Sequence, residues 1–379
     1  MQNTITKALS HLQYRQLLKA LARRRTRAVV KPFTPKPAKP SKPHDITIID
    51  YTQKAIEQTK VESIKEAFHY HKTTTTTWIN VDGLSKKEVV ALRQHYGIHE
   101  LIQEDIISYG QRPKVDEIDD HLYALLNMLF VEKETGIIEH EQISIVLGKN
   151  YVISIQEYAT RDVFDPVRKR LRMSTSKERE KSADYLFYAL IDVIVDSYLL
   201  VIEDIASHIE SIEEQILSRT TKHTFQRISQ LRKDIILLKR NIAPVRDLVA
   251  SLVRSDSDLL QERTTKYFKD VYDHVVQAND LLDNYRDLIM GLQDMYVNNI
   301  NLRMNEVMKT LAIITAIMAP ATVIGGIFGM NFDVIPYAHH QWGFYGTIAV
   351  MLIIPVVMIL WFVKRGWFQK DYPEQQSLF

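Results

Sequence analysis

Residues 311–331 read LAIITAIMAPATVIGGIFGMN, and the first 18 of them carry no charged side chain. A second uncharged stretch of 22 residues, 342–363, follows after an interval of 13 residues. A helix needs about 20 apolar residues to cross the hydrocarbon core of a bilayer, which is roughly 30 Å thick. One such stretch could be a buried core helix, but two of them with basic residues on one side favour a pair of transmembrane helices.

The basic residues around these stretches predict their orientation. Lys309 precedes the first stretch, whereas Lys364, Arg365 and Lys370 follow the second. The connecting loop, 329–341, contains neither Lys nor Arg. Because basic residues concentrate in cytoplasmic segments, we expect a multi-pass protein of the cell (inner) membrane, with both termini in the cytoplasm and the loop outside.

The rest of the chain has the composition of a protein in water. Of its 379 residues, 25% are charged, the formal net charge is +2 and the mean hydropathy is −0.16. The absence of cysteine excludes disulfides and thiolate metal sites. The N-terminal segment contains no apolar stretch followed by a cleavage site, so a secretory signal is not predicted. These features suit a large cytoplasmic portion.

The N-terminal segment is strongly basic, since residues 1–44 contain 11 Lys or Arg and no acid. We expect a disordered basic tail near anionic lipid, ending in the Pro- and Lys-rich linker 31–40. An organelle transit peptide is the alternative, because such peptides are also rich in Arg and poor in acids.

Residues 45 to about 157 mix short strand-like and helical patterns, which predicts a small α/β domain. The predicted strands are 45–50, 77–81, 121–126, 143–147 and 151–155, and the predicted helix is 85–96. Beyond residue 182 the pattern is almost entirely helical. Two long helices are predicted over 185–217 and 225–253, the second with a kink or break at Pro244. A third begins near residue 264 and continues without a stop signal into the first membrane stretch.

The third helix carries two different faces. Apolar residues recur at heptad spacing and predict a packing seam: Phe268, Val275, Leu282, Ile289 and Tyr296, with Val271, Ala278, Tyr285 and Leu292 beside them. On another face the acids Asp273, Asp280, Asp287 and Asp294 recur every seven residues. The same count continues through Asn301, Met308, Thr315, Thr322 and Gly329. The acids alone could be the solvated side of an amphipathic rod.

Inside the membrane stretch this row becomes small or hydroxylated, while branched apolar residues surround it. Small and hydroxylated residues turn away from lipid, toward other helices or a cavity. Two helices cannot enclose a pore but several identical subunits can, so this face predicts a cation pathway. A purely structural membrane protein would leave the row unexplained. Neither stretch contains a charge, which argues against a proton-coupled carrier.

The turn after the first stretch suits magnesium. Mg2+ gives up its water reluctantly and prefers oxygen ligands in octahedral geometry. Rings of the side-chain carbonyl of Asn331 and the backbone carbonyl of Gly329 could accept hydrogen bonds from its hydration water. Weak binding at several sites is what conduction requires.

Gly329-Met330-Asn331, within the segment IFGMNF at 327–332, resembles the signature of the CorA family of magnesium transport proteins. The likeness extends through 305–309, 267–274, 164–168 and 111–114 and covers about residues 45–370. The resemblance implies an α+β fold and a homopentameric funnel. Its parts would be a cytoplasmic α/β/α domain with a long helical hairpin (45–263), a very long stalk that continues into the first transmembrane helix (264–328), an extracytoplasmic loop (329–341), a second transmembrane helix (342–363) and a cytoplasmic tail (364–379).

The resemblance also implies residue roles. Gly329, Met330 and Asn331 would form the outer mouth, and Asn305, Met308, Leu311, Thr315, Ala319 and Thr322 would face the pore, with Asp294 and Asn301 preceding them on the acid row. Regulatory Mg2+ would bind between neighbouring subunits at Asp105 of one and Asp270 of the next, beside Glu104 and Asp273. The implied function is a channel that admits Mg2+, with Co2+ and Ni2+ as further candidates, into the cytoplasm down its electrochemical gradient. Its partners would be divalent cations, the bilayer and identical subunits, and no nucleic acid.

Other functions find less support. No phosphate-binding loop, no His-Glu-x-x-His and no Gly-x-Ser-x-Gly motif occurs, so an enzyme is not expected. A zinc, or cobalt and nickel, transporter of the same fold is the main alternative. A zinc-transporting branch that resembles this chain usually has Ile in place of Met330, which favours magnesium.

Overall fold

The computed structural model describes residues 45–132, 136–158, 163–173, 177–218, 221–330 and 340–367. The predicted basic tail 1–44, Asn331 with the loop up to residue 339, and residues 368–379 lie outside the described residues. The chain forms two compact units, one made of residues up to 209 with 230–287, and the other of 210–229 with 288 onward.

A seven-stranded sheet is the centre of the first unit. Its strands are β1 (Asp45–Tyr51), β2 (Ile56–Val61), β3 (Thr76–Asp82), β4 (Lys114–Ile118), β5 (His121–Val131), β6 (Ile138–Leu147) and β7 (Tyr151–Gln156). They lie in the order β2-β1-β3-β7-β6-β5-β4. The β3–β7 pair is parallel and all the other pairs are antiparallel. The five predicted strands are confirmed, and β2 and β4 were not predicted.

Short helices cover one face of this sheet. They are a 3-10 segment (Ile64–Lys72), the predicted helix α1 (Lys86–Tyr96) and α2 (Glu100–Ile107). Ile79 of β3, Leu92 of α1 and Ile102 of α2 belong to one buried apolar cluster on this face. The alternation of side chains along a strand therefore fixes which residues point toward α2.

Four helices follow in the chain, two short and two long: α3 (Asp165–Arg172), α4 (Lys177–Glu180), α5 (Ala183–Ser218) and α6 (Lys222–Val253). Trp78, which follows strand alternation to the face opposite Ile79, contacts Phe164 with ring centroids 5.8 Å apart. The hydroxyl of Tyr198 on α5 donates a 2.8 Å hydrogen bond to the carbonyl oxygen of Asn127 on β5. The domain thus has helices on both faces, as predicted. Of the kink or break predicted at Pro244, the break is wrong, because α6 is continuous through this residue.

The longest helix, α7, is continuous over 67 residues, Glu262–Phe328. The heptad seam is buried at Phe268, Val271, Val275, Ala278, Leu282, Ile289 and Leu292. The acids Asp273, Asp280, Asp287 and Asp294 are all exposed. The two faces predicted for this helix are therefore confirmed.

The second unit contains the membrane stretches, which lie in the C-terminal part of α7 and in α8 (Gly343–Lys364). A Cβ placed on Gly325 of α7 would lie 3.3 Å from Cε of Met351, so the glycine permits close packing of α8. Among the described residues three helices are long and apolar enough to cross a membrane: α5, α7 and α8. The apolar window of α5 is 67% buried by protein, whereas those of α7 and α8 are each only 6% buried. The apolar surfaces of α7 and α8 thus require lipid or other subunits, as predicted from the sequence.

Candidate ion pathway and cation sites

The predicted pathway face of α7 is left uncovered by the rest of its own chain. Asp294, Asn301, Asn305, Met308, Leu311, Thr315, Ala319 and Thr322 are all exposed. Met308 and Leu311 are 60% and 57% exposed, whereas Ile313 on another side of the helix is buried. The row is therefore free to face other subunits or an ion path.

Two hydroxyl groups on the row are arranged as hydrogen-bond acceptors. Oγ1 of Thr315 donates to the carbonyl oxygen of Leu311 at 2.9 Å, and Oγ1 of Thr322 donates to that of Met318 at 3.0 Å. A hydroxyl has one donor hydrogen and two acceptor lone pairs. Because each hydroxyl hydrogen is donated to a backbone carbonyl, the lone pairs of the hydroxyl oxygen remain available to accept hydrogen bonds from the water shell of a cation.

The end of α7 adds negative partial charge at the predicted outer mouth. The helix ends at Phe328, and the amide of Gly329 donates to the carbonyl oxygen of Gly325 at 3.0 Å. The last carbonyls of a helix have no partner within it, and the helix dipole places its negative end there. Met330 is exposed, and Asn331 lies outside the described residues.

The predicted regulatory acids lie on two elements. Glu104 and Asp105 are on α2, and the carboxylate of Asp105 is 2.6 Å from Nζ of Lys114, which also lies 2.8 Å from Asp116. Burial lowers the pKa of Lys114, but the hydrogen bonds to Asp105 and Asp116, together with their charges, raise it by more. The net shift is therefore upward. Asp105 is thus already paired with a fixed cation within its own chain.

Asp270 and Asp273 are both exposed on α7. The pKa of Asp192 on α5 is raised mainly by burial and to a smaller extent by the negative charge of Asp270, so these two acids are close enough to interact. The structure thereby extends the predicted acidic region from α7 to α5.

A cluster that sequence reasoning missed lies beside Asp270. Asp192, Asp196 and His274 each offer one possible ligand atom, and these three atoms lie within 4.8 Å of one another. Nδ1 of His274 is 3.7 Å from the carboxylate of Asp196. Burial, and then the charge of Asp196, raises the pKa of Asp192 to about 6. Two carboxylates and an imidazole form a set that can hold a divalent cation.

The separation of these residues in sequence explains why the cluster was missed. Asp192 and Asp196 are one helical turn apart on α5, but His274 is on α7 and joins them only through packing of the two helices. A pair of acids at this spacing was the only signal, and such pairs are common on solvated helix faces.

The comparisons with known proteins agree with this architecture. The family model for CorA-like Mg2+ transporter proteins matches residues 74–365, which is most of the chain. The chain belongs to the CorA family. It is 39% identical over 324 residues to the cobalt/magnesium transport protein CorA of Thermotoga maritima, covering 85% of this chain and 92% of the relative.

Solved structures share the CorA fold. The complete CorA magnesium transporter from Methanocaldococcus jannaschii matches with a TM-score of 0.70 at 22% identity, over 85% of this chain and 98% of that one. The ZntB cytoplasmic domain from Vibrio parahaemolyticus matches with a TM-score of 0.56 at 16% identity, over 69% of this chain and 99% of that one. At these identities the likeness establishes the fold alone. The N-terminal α/β domain, the long helix and the apolar C-terminal helices form a CorA-like fold.

Proposed function

We propose that this chain is the subunit of a homopentameric channel that conducts Mg2+ into the cytoplasm down its electrochemical gradient. The observation that carries the proposal is the exposed row of α7, which changes from acids at Asp294 to hydroxyls at Thr315 and Thr322. A single chain cannot enclose this row. Five copies around one axis would bring the rows together as the wall of a pore.

The chemistry of the row suits a cation that keeps its water. The carboxylates of Asp294 would concentrate cations at the cytoplasmic end of the row, and the lone pairs of Thr315 and Thr322 would accept hydrogen bonds from hydration water. Met308 and Leu311 would form an apolar constriction between them, which can close a pore by excluding water. The membrane potential contributes about 4.6 kcal/mol per 100 mV for a divalent ion moving inward, so no coupling ion is required.

The proposed placement is an inner, or cell, membrane with both termini in the cytoplasm. Lys309 before the first span, and Lys364 and Arg365 after the second, then lie on the same cytoplasmic side. The loop that begins at Gly329 lies outside and receives the ion. Asn331 and Gly329 would order its hydration shell there.

Purified protein in liposomes tests the transport function. Uptake of Mg2+, Co2+, Ni2+ and Zn2+ is compared at equal membrane potential, in wild type and in Asn331→Ala. We expect Mg2+ uptake in wild type and its loss in Asn331→Ala. Size-exclusion chromatography should show the same assembly for both proteins. Uptake of Zn2+, or of Co2+ and Ni2+, without Mg2+ would instead establish the alternative transporter of the same fold.

We further propose that cytoplasmic Mg2+ closes this channel. Lys114 already compensates one of the charges on one subunit. The remaining charges of Glu104 and Asp105 on that subunit and of Asp270 and Asp273 on the next would repel one another unless a divalent cation neutralises them. Bound Mg2+ would hold neighbouring subunits together, and its loss would allow them to separate. Because Asp270 and the apolar constriction belong to one continuous helix, the motion would widen the pore by shifting the population of open channels.

Current recorded while internal Mg2+ is raised tests this regulation. The variant Asp105→Lys with Asp270→Lys puts fixed positive charge where the ion would bind, so its inhibition should be weakened or lost. An unchanged inhibition curve would remove both residues from the sensor.

A further inference from the structure

A small cavity lies behind the helix that carries Asp105. Ile106 of α2 and Tyr109 just beyond its end form one side, and the rest of the lining is Leu84, Gln142, Ser144, Ile155, Gln156 and Glu157. Its volume is about 10 Å3. That is about the room that one water molecule needs, provided that two to four polar groups surround it.

Gln142 joins this cavity to Asp105. Its side chain is on the α2 side of β6, the residue is 8% exposed, and Nε2 donates a 3.1 Å hydrogen bond to the backbone carbonyl oxygen of Asp105. This carbonyl is among the last four of α2, which have no partner within the helix. Gln142 therefore fixes the last turn of α2 from the sheet.

The hydrogen bond to Asp105 also fixes which end of the Gln142 amide faces the cavity. Reversing the amide would place oxygen against oxygen, so Nε2 must point to Asp105. Oε1 of Gln142 is buried and has no hydrogen-bond partner within the chain. A buried carbonyl oxygen without a partner destabilises the folded state, and a bound hydrogen-bond donor would remove that cost.

The other polar groups of the cavity complete a site for a donor. Oγ of Ser144 lies 3.1 Å from the hydroxyl of Tyr123 and keeps a lone pair available. Burial raises the pKa of the Glu157 carboxyl, although hydrogen bonds to Tyr158 and to the backbone of Gln142 act in the opposite direction. Oγ of Ser144 and the carboxyl of Glu157 thus join Oε1 of Gln142 as acceptor oxygens beside the cavity, and a water molecule can donate its two hydrogens to two of them.

We propose that the cavity binds one water molecule that donates to Oε1 of Gln142 and to Ser144 or Glu157, and that Gln142 is a positioning residue for Asp105. The water holds the Gln142 amide in the orientation that the Asp105 carbonyl requires. The strands thereby set the position of α2 and of its carboxylate. The second part of this proposal rests on the proposed regulatory role of Asp105, whereas the first part does not.

A crystal structure of the intact protein, at a resolution that shows ordered water, tests the first part. We expect a density peak about 2.7–3.2 Å from Oε1 of Gln142 and from one oxygen of Ser144 or Glu157. No peak there would overturn the water site. A peak with several oxygen ligands at about 2.0–2.5 Å would also overturn it, because such short distances identify a metal ion.

Gln142→Met tests the second part, with Asn150→Leu as a matched control. Nδ2 of Asn150 also donates to a backbone carbonyl, that of Thr73, at 3.0 Å, but at a distant hairpin. Both variants should lower the Tm. Only Gln142→Met should shift the internal Mg2+ concentration for half-inhibition, by about three- to tenfold, the factor that one average hydrogen bond represents.

The possible results separate the two parts. An unchanged inhibition curve in Gln142→Met, or an equal shift in Asn150→Leu, would overturn the positioning role. If wild type itself shows no inhibition by Mg2+, the proposed regulation and the positioning role both fail, and the density peak alone decides whether the water site is retained.

Discussion

Lys114 and Asp105 form a short ion pair, with Nζ of the lysine 2.6 Å from Oδ2 of the aspartate. The same ammonium group lies 2.8 Å from Asp116. A metal ion at Asp105 must therefore compete with a tethered cation that is already present. Lys114 sets how much Mg2+ is needed before the site fills, if Asp105 is the regulatory ligand.

Lys114→Met tests this competition. Without the ammonium group, Asp105 and Asp116 attract Mg2+ more strongly, so inhibition should occur at a lower internal Mg2+ concentration. The expected shift is roughly two- to fivefold, the factor for a partly exposed ion pair. Lys60→Met is the control, since Lys60 pairs with the exposed Asp45 at 3.3 Å. Inhibition that needs more Mg2+ in Lys114→Met would contradict the assignment.

The back-bonded hydroxyls of α7 lead to a second prediction. Thr315→Val keeps the shape of the side chain but removes the lone pairs proposed to face hydration water, so Mg2+ uptake should fall by about tenfold or less, as expected for one hydrogen bond. Thr347 in α8 makes the same type of bond, to the carbonyl oxygen of Gly343 at 2.9 Å. Thr347→Val should therefore keep wild-type uptake. Equal uptake in both variants would place Thr315 outside the pathway.

The acid row supports a third prediction. If Asp294 faces a common axis, Asp294→Lys places several positive charges on one ring, and like charges a few ångströms apart should block cation entry. Uptake should fall to background while assembly persists. Asp258→Lys changes an exposed acid outside α7 and should have little effect. A nearly silent Asp294→Lys would favour a solvated outer face for the row.

The strands that the sequence did not predict have a common physical cause. β2 and β4 are the two edge strands of the sheet. Four residues of β2 are exposed, and β4 has no fully buried residue. Because neither strand buries one face, neither has the alternation of apolar and polar residues that marks a half-buried strand. The sequence pattern therefore could not predict them. The central strand β7 is buried at every position and was predicted.

The sequence pattern predicted the site residues only where they lie along one helix. The row from Asp294 to Thr322 obeys a single seven-residue count, because one helix carries all of it. The cluster of Asp192 and His274, and the contact of Gln142 with Asp105, each join elements far apart in sequence. Such contacts depend on which elements pack together, and no local pattern encodes that.

The fourth prediction concerns pH. His121 is buried at the start of β5, where its Nε2 lies 2.7 Å from the hydroxyl of Tyr151. Burial lowers the pKa of His121 from its ordinary value of 6.5, although Asp120, the Tyr96 backbone and Asp119 act in the opposite direction. Burial, followed by the nearby His95 and Lys72, likewise lowers the pKa of His71 on the 3-10 segment.

The sign of the effect follows from proton uptake. Well above pH 6.5 His121 is neutral in both states and does not affect stability. As pH falls below 6.5, the unfolded chain binds a proton that the folded chain resists, so the free energy of unfolding decreases until the lowered folded pKa is passed. The Tm of the intact protein should therefore fall between about pH 7.5 and pH 5.5. His121→Gln should reduce this fall, whereas His223→Gln, at an exposed position, should leave it unchanged. If the Tm of His121→Gln falls as much as that of the wild type over this pH range, other groups cause the acid sensitivity.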